Sequence, residues 1–422
     1  MRTLARCALI VSLAAALLVG CGESQPPIGA PGVTPQTSAI ASARSAAHRL
    51  SASYQQLYRF SPEHDGARPG GGLLDVSGTL YGTTVAGGLL GGKGTIYRIT
   101  TSGEHKVLYR FKGVPDGRNP QSGLLNVNGT LYGTTEYGGP SRNGTIYSVS
   151  TSGAEKVVYA FKGAGGSDGC RPAARLIDVN GTLYGTTSGC GDFRCNSEYG
   201  CGTVFSVTTS GQETVLHSFA GTGSDGADPE TELIDVNGVL YGTTSIGGLE
   251  DPRSGGTVFS ITLAGEEKVL YTFQGGSDGG EPDSGLINVN GMLYGTTFYG
   301  GGHAACGQGC GTVYRVSTAG AEKVLYGFAG GSDGAGPASD LTEMNGALYG
   351  TTQSGGNSHA RNGTIFKVSV SGRERVLYRF GATQNDGVTP SSPLANLNRT
   401  LYGTTAYGGG AYGNGTVFAL TP

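Results

Sequence analysis

Four groups of residues in this chain have types and spacings that could do chemistry: non-repeated acids, loop aromatics, loop aspartates and cysteines. Five acids, Glu136, Asp192, Glu198, Glu250 and Asp251, stand outside an otherwise repetitive pattern. Cleaving a glycosidic bond takes two carboxyl groups a few ångströms apart in different protonation states. No two of the five form a recognisable pair in sequence, and a solvated loop charge is the plainer reading of each. Tyr137, Tyr299 and Tyr407 share the second position of one recurring loop, with Tyr412 and Phe193 nearby in others. Exposed rings there would stack on sugars, whereas the simpler role is packing against an adjacent segment.

Seven Asp-Gly dipeptides, at Asp65, Asp116, Asp168, Asp225, Asp278, Asp333 and Asp386, recur along the chain, several with a proline shortly after. A turn wants this chemistry: the carboxylate caps its own loop and the glycine supplies positive φ. Calcium, which needs several oxygens close together, is the rival reading, and no other cofactor or metal is expected. No His-Glu-x-x-His helix or P-loop is present, and the six histidines are scattered. The formal net charge is −3, with no run of Lys or Arg, so a nucleic-acid partner is not expected.

These residues hang on a tandem array. Leu-Tyr-Gly-Thr-Thr occurs seven times, with its tyrosine at Tyr81, Tyr132, Tyr184, Tyr241, Tyr294, Tyr349 and Tyr402. A period near 50 residues built of β-type runs predicts a propeller. In one copy the runs are 124–127, 130–135, 145–150 and 156–161, with a tight Asn128-Gly129 turn between the first two. The spacing therefore predicts an all-β fold, a seven-bladed β-propeller of four-stranded blades. The chain begins with a fourth-type strand, 57–60, and ends with a third-type strand, 416–420. The N-terminal strand is expected to join the last blade and close the ring, which removes the open edge and suits a monomer.

Leu and Tyr of the repeat are read as core, the glycine as room for adjacent blades to approach, and the threonines as pairs that satisfy one another. Alternating strand directions place the glycine-rich loop and the Asp-Gly loop of every unit on one face, where varied side chains would meet a ligand.

The pattern resembles kelch repeats, though the chain has no tryptophan. It more closely resembles GloVer, a Gly-rich tandem-repeat family of secreted bacterial proteins, through Asn-Gly-x-Leu-Tyr-Gly-Thr-Thr, a Gly-Gly pair, Gly-Thr-Val-Phe/Tyr and Asp-Gly-x-x-Pro. That resemblance covers about Tyr58 to Leu420 and implies a secreted propeller without a defined activity.

The N-terminus reads as an export signal over 1–20, with Arg2 and Arg6 before the apolar stretch Ala8 to Val19. Leu18-Val19-Gly20-Cys21 resembles the bacterial lipobox, which implies that Cys21 is acylated and held in a membrane. Residues 21–53, rich in Pro, Ser and Ala, read as a tether to a propeller over 54–422. Gly22 after the cysteine implies the outer membrane or cell surface. Removing the signal leaves −3 − 2 = −5 on the exported chain.

The irregular loops of the third and fifth units hold Cys190, Cys195, Cys201, Cys306 and Cys310, with Cys170 in the adjoining Asp-Gly loop. In an exported chain this predicts disulfides, Cys306 with Cys310, and Cys170 with Cys190 and Cys195 with Cys201 favoured among the remaining pairings. Zinc is the rival, but paired Cys-x-x-Cys units are missing. The expected function is a non-enzymatic binding module of the cell envelope, for glycans or an envelope protein. A polysaccharide-directed hydrolase or lyase and a protein-contact scaffold are the alternatives.

Overall fold

The structure, a computed structural model, describes residues 52–89, 91–163, 168–193, 200–222, 225–249, 255–356, 362–410 and 413–422. Seven antiparallel four-stranded blades follow one another in the chain. Blade 2 has first to fourth strands Leu125–Val127, Thr130–Thr135, Thr145–Ser150 and Glu155–Ala160, paired in that order. The first strands of successive blades touch one another in a closed circuit that returns from blade 7 to blade 1. Blade 7 is completed as the sequence predicts: Ser53–Arg59 pairs antiparallel with Thr416–Thr421. That strand starts four residues before the sequence-predicted one, at Ser53 rather than Leu57.

The burial of each strand follows its position in the blade. In Thr130–Thr135 every residue after the first is buried, because neighbouring blades cover both faces. The fourth strand Glu155–Ala160 forms the outer rim and is only half covered. The first-to-second turns have both central residues left-handed, as at Asn128 (φ 51°) and Gly129 (φ 86°), the geometry of a two-residue hairpin.

Every interface between blades is one apolar cluster. The cluster of Tyr81, Ile96 and Phe111 with Leu124, Leu131, Tyr147 and Val149 joins blades 1 and 2, and the cluster containing Phe60, Tyr97 and Tyr402 joins blades 7 and 1. Within each, a phenylalanine just past the fourth strand meets a third-strand ring of the next blade edge-on. Phe111 lies 5.1 Å from Tyr147 and Phe161 5.2 Å from Phe205. Such pairs add about 0.5–1.5 kcal/mol beyond the area they bury.

The repeated glycine has a different role from the one its position implied. A Cβ on Gly133 would lie 2.4 Å from the Tyr147 hydroxyl, and one on Gly242 would lie 2.7 Å from Phe259. Both rings belong to the glycine's own blade, in cross-strand register with it. The glycine therefore seats a ring from the neighbouring strand, and the contact between blades is made by that ring.

The two threonines divide their work. The second bonds the threonine that opens the third strand, as Thr135 with Thr145 at 2.7 Å. The first reaches the next blade, as Thr134 Oγ1 donating to the Ala174 carbonyl at 3.2 Å. A buried hydroxyl left unpaired is costly, so these bonds fix blade register as well as blade spacing.

Candidate functional site

The two long loops of each blade meet on one face. Gly117–Arg118 pairs with Tyr137–Gly138, Gly226–Ala227 with Ile246–Gly247, and Gly280 bridges to Tyr299. The residue before each loop proline is left-handed: Arg68, Asn119, Arg171, Asp228, Glu281 and Thr389 have φ between 52° and 60°. An L-residue holds this conformation at a cost of about 1–2 kcal/mol. Its amide is anchored to the preceding blade, as Glu281 N–H to the Gly255 carbonyl at 2.9 Å. The scaffold thus presents varied side chains, five residue types over these six blades, at one equivalent place.

Inside this ring lies the mouth of the central channel, a cavity of about 300 Å³. Its lining includes Gly72, Gly123, Arg175, Glu232, Asp340 and Pro393, one residue from each of six blades. Arg175 forms a two-pronged ion pair with Glu232, its Nε 2.7 Å from Oε2. Asp340 accepts the Gly285 amide at 2.5 Å. A Cβ on Gly123 would come within 3.2 Å of Arg175 Cδ, so the glycines make room for the charged side chains beside them. Burial, with Glu232 adding to it, raises Asp340 to about 6 against the Gly285 amide and Arg175.

Around the mouth, blades 4 and 5 carry an acidic sector. Asp228 and Glu230 precede blade 4, and Glu281 and Asp283 precede blade 5. None of these four carboxyl groups hydrogen-bonds another described side chain. Burial, then Glu230, Glu281 and Asp228, push Asp283 up to about 8. Burial and Glu230 raise Asp228, opposed by Arg171. At neutral pH Asp283 therefore keeps its proton and can donate a hydrogen bond as well as accept one.

A cleft of about 540 Å³ adjoins this sector on blade 5. Glycines, among them Gly255, Gly276 and Gly300, form its floor, and Glu281, Tyr299, His303 and Gln308 supply its functional groups. Tyr299 is half-buried, packs edge-on to Phe298 at 4.8 Å, and has its hydroxyl raised by burial, Glu281 and Asp283. It lines the cleft and feels the charge of Asp283, which lines the mouth. The loop beyond is closed by the Cys306–Cys310 disulfide.

The other candidates are spread over the face. Tyr137 is held by Arg118 and Arg171, 4.9 and 5.6 Å from its ring, and Tyr407 is 42 % exposed beside Arg68. Phe193, 49 % exposed, lines with Asp192 an open groove between blades 2 and 3. Glu136 is paired to Arg171 at 2.8 Å and is also bonded by Gln121. Cys170 is bonded to Cys190, and Cys201 is disulfide-bonded. Cys195, Glu198, Glu250, Asp251, Tyr412 and Cys21 lie outside the described residues.

The loop aspartates close their own turns, with a partner the motif did not reveal. Asp116 accepts the Lys112 amide at 2.8 Å and the Tyr109 hydroxyl at 2.9 Å. The acidic sector was missed for another reason. Its members sit one residue before or after the repeated proline, and only comparison of the seven copies at those two positions would have singled them out.

A family model, described as the Gloeobacter/Verrucomicrobia repeat, matches residues 45–197, 165–308 and 303–422. The chain belongs to this repeat family. Among solved structures it is similar to a luciferin-regenerating enzyme, at 12 % identity over 88 % of this chain and 95 % of the other, with a TM-score of 0.43. It is also similar to a gluconolactonase from Xanthomonas campestris, at 14 % identity over 73 % and 89 %, with a TM-score of 0.42. No curated protein matches the chain.

Proposed function

We propose that this repeat-family propeller is an exported, non-enzymatic binding module that takes a hydroxyl-rich glycan in the blade 5 cleft and the adjoining channel mouth. This reading rests on Tyr299, which lines the cleft with Glu281, His303, Gln308 and a run of glycines and feels the charge of Asp283 at the mouth. A sugar presents apolar C–H patches to an aromatic ring and hydroxyls to paired donors and acceptors. Disulfides in the surface loops fit an oxidising compartment. Acylation at Cys21 would hold the module at a membrane.

Hydrolysis is the second reading, favoured by one observation: Asp283 retains its proton up to about pH 8, as a general acid must. Binding is the better supported of the two. A hydrolytic pair needs one carboxyl kept ionised beside the protonated one, whereas burial raises Asp283, Asp228 and Glu230 together.

The test is a screen of soluble protein starting at Gly22 against cell-wall and other glycans, with product analysis of each ligand retained. Retention of an intact glycan supports the module, and cleavage moves the reading to Asp283. No retention across the panel leaves a surface that contacts other proteins.

A further inference from the structure

The outer end of every blade junction is built from three side chains. A residue in the fourth strand meets the loop aspartate seven to nine positions later and a residue that opens the fourth strand of the next blade. At six junctions the first member is a tyrosine: Tyr58, Tyr109, Tyr159, Tyr271, Tyr326 and Tyr378. Each hydroxyl donates to its aspartate, as Tyr271 to Asp278 at 2.7 Å and Tyr378 to Asp386 at 2.9 Å. The third member is Glu155, Glu213, Glu322 or Glu374 at four of these six.

Between blades 3 and 4 the tyrosine is replaced by His217, facing Asp225 and Glu267. The hydrogen bond is lost with it: His217 Nε2 stands 3.6 Å from Asp225 Oδ1. That nitrogen, Asp225 Oδ1 and Glu267 Oε1 are each screened from solvent without a hydrogen-bond partner among the described residues. All three donor atoms lie within 4.8 Å of one another. The other Asp225 oxygen is fixed by the Ala220 amide at 2.6 Å, which holds the carboxylate in place. Asp225 and Glu267 also line an open surface pocket of about 620 Å³, a route by which an ion and its waters could enter.

We infer that His217, Asp225 and Glu267 form a binding site for a divalent transition-metal ion that staples blade 3 to blade 4. One imidazole and two carboxylates suit zinc or manganese, with ligand distances of about 2.0–2.2 Å. The remaining coordination positions are left to water. The ion would supply the positive charge that offsets both carboxylates.

The chain supplies its own control. His217→Tyr restores the residue of the other six junctions, so the fold is expected to survive it. Zinc and manganese are each titrated into the full chain after chelator treatment, by calorimetry and by the shift in melting temperature. The site predicts one tight ion per chain, a higher melting temperature with metal, and affinity lowered about 100-fold or more in His217→Tyr and about 10-fold or more in Glu267→Gln. Failure of the wild type to bind either ion, or a His217→Tyr protein that binds as tightly as the wild type, would overturn the proposal.

Discussion

Phe60 meets Tyr97 edge-on at 5.1 Å, and this contact joins the first described strand of the chain to blade 1 across the seam of the ring. Phe60 follows the strand that completes blade 7, whereas Tyr97 lies in the third strand of blade 1. The contact repeats the Phe111–Tyr147 pair and the other equivalents, so the seam is packed like any other interface.

Phe60 is 4 % exposed, and its truncation leaves a cavity at the seam. Phe60→Ala is expected to cost about 3–5 kcal/mol, as large-to-small core changes do. Urea unfolding followed by far-ultraviolet circular dichroism checks this. An effect below about 1 kcal/mol would mean that the seam is loose.

The hydroxyls of Tyr97, Tyr147 and Tyr314 are buried without a hydrogen-bond partner among the described residues. The equivalent positions in the other blades hold Phe205, Phe259, Phe366 and Phe418. An unsatisfied buried hydroxyl costs about 1–3 kcal/mol, so Tyr→Phe at each of the three is expected to be neutral or stabilising. The readout is the denaturation midpoint of the single and triple variants.

The last blade breaks the turn rule, for Arg399 holds φ 66° where six other copies have glycine. Arg399→Gly is expected to stabilise by about 1 kcal/mol through relief of that conformation. A thermal melt of the pair of proteins would show it as a raised midpoint.

Stability should fall as pH rises from the ordinary carboxylate range to about 8. Burial raises Asp283 to about 8 and Glu213, Glu322 and Glu374 to about 7, so between these values and the unfolded ones the folded chain binds more protons. Folding free energy is then largest at the acidic end of that window and is lost as the groups are forced to ionise. Asp283→Asn should match the wild type near pH 4 and melt higher at pH 8.5. An equal decline in both proteins would rule out Asp283 as a contributor.

The sequence made the blades legible because each carries its own signals: an alternating strand and a ring at a fixed place, with an Asn-Gly turn in five of the seven. The 130–135 and 145–150 strands match the structure to the residue. The site was harder to read. Glu136, singled out as a non-repeated acid, is tied to Arg171, while Asp228, Glu230, Glu281 and Asp283 were hidden inside the repeated Asp-Gly-x-x-Pro loop. Their convergence depends on the ring bringing together loops about 50 residues apart, which no single copy reveals. His217 was likewise unremarkable as a lone histidine and acquires meaning only against the tyrosine of the other six junctions.

A glycan held in the blade 5 cleft would stack on Tyr299. The most direct measurement compares the affinity of the wild type and Tyr299→Ala for the glycan retained best in the screen, with circular dichroism to confirm that both are folded. A loss of about 10-fold or more is expected in the variant, with the glycan recovered intact. Unchanged affinity in a folded Tyr299→Ala protein would contradict it and move the binding surface elsewhere on the loop face.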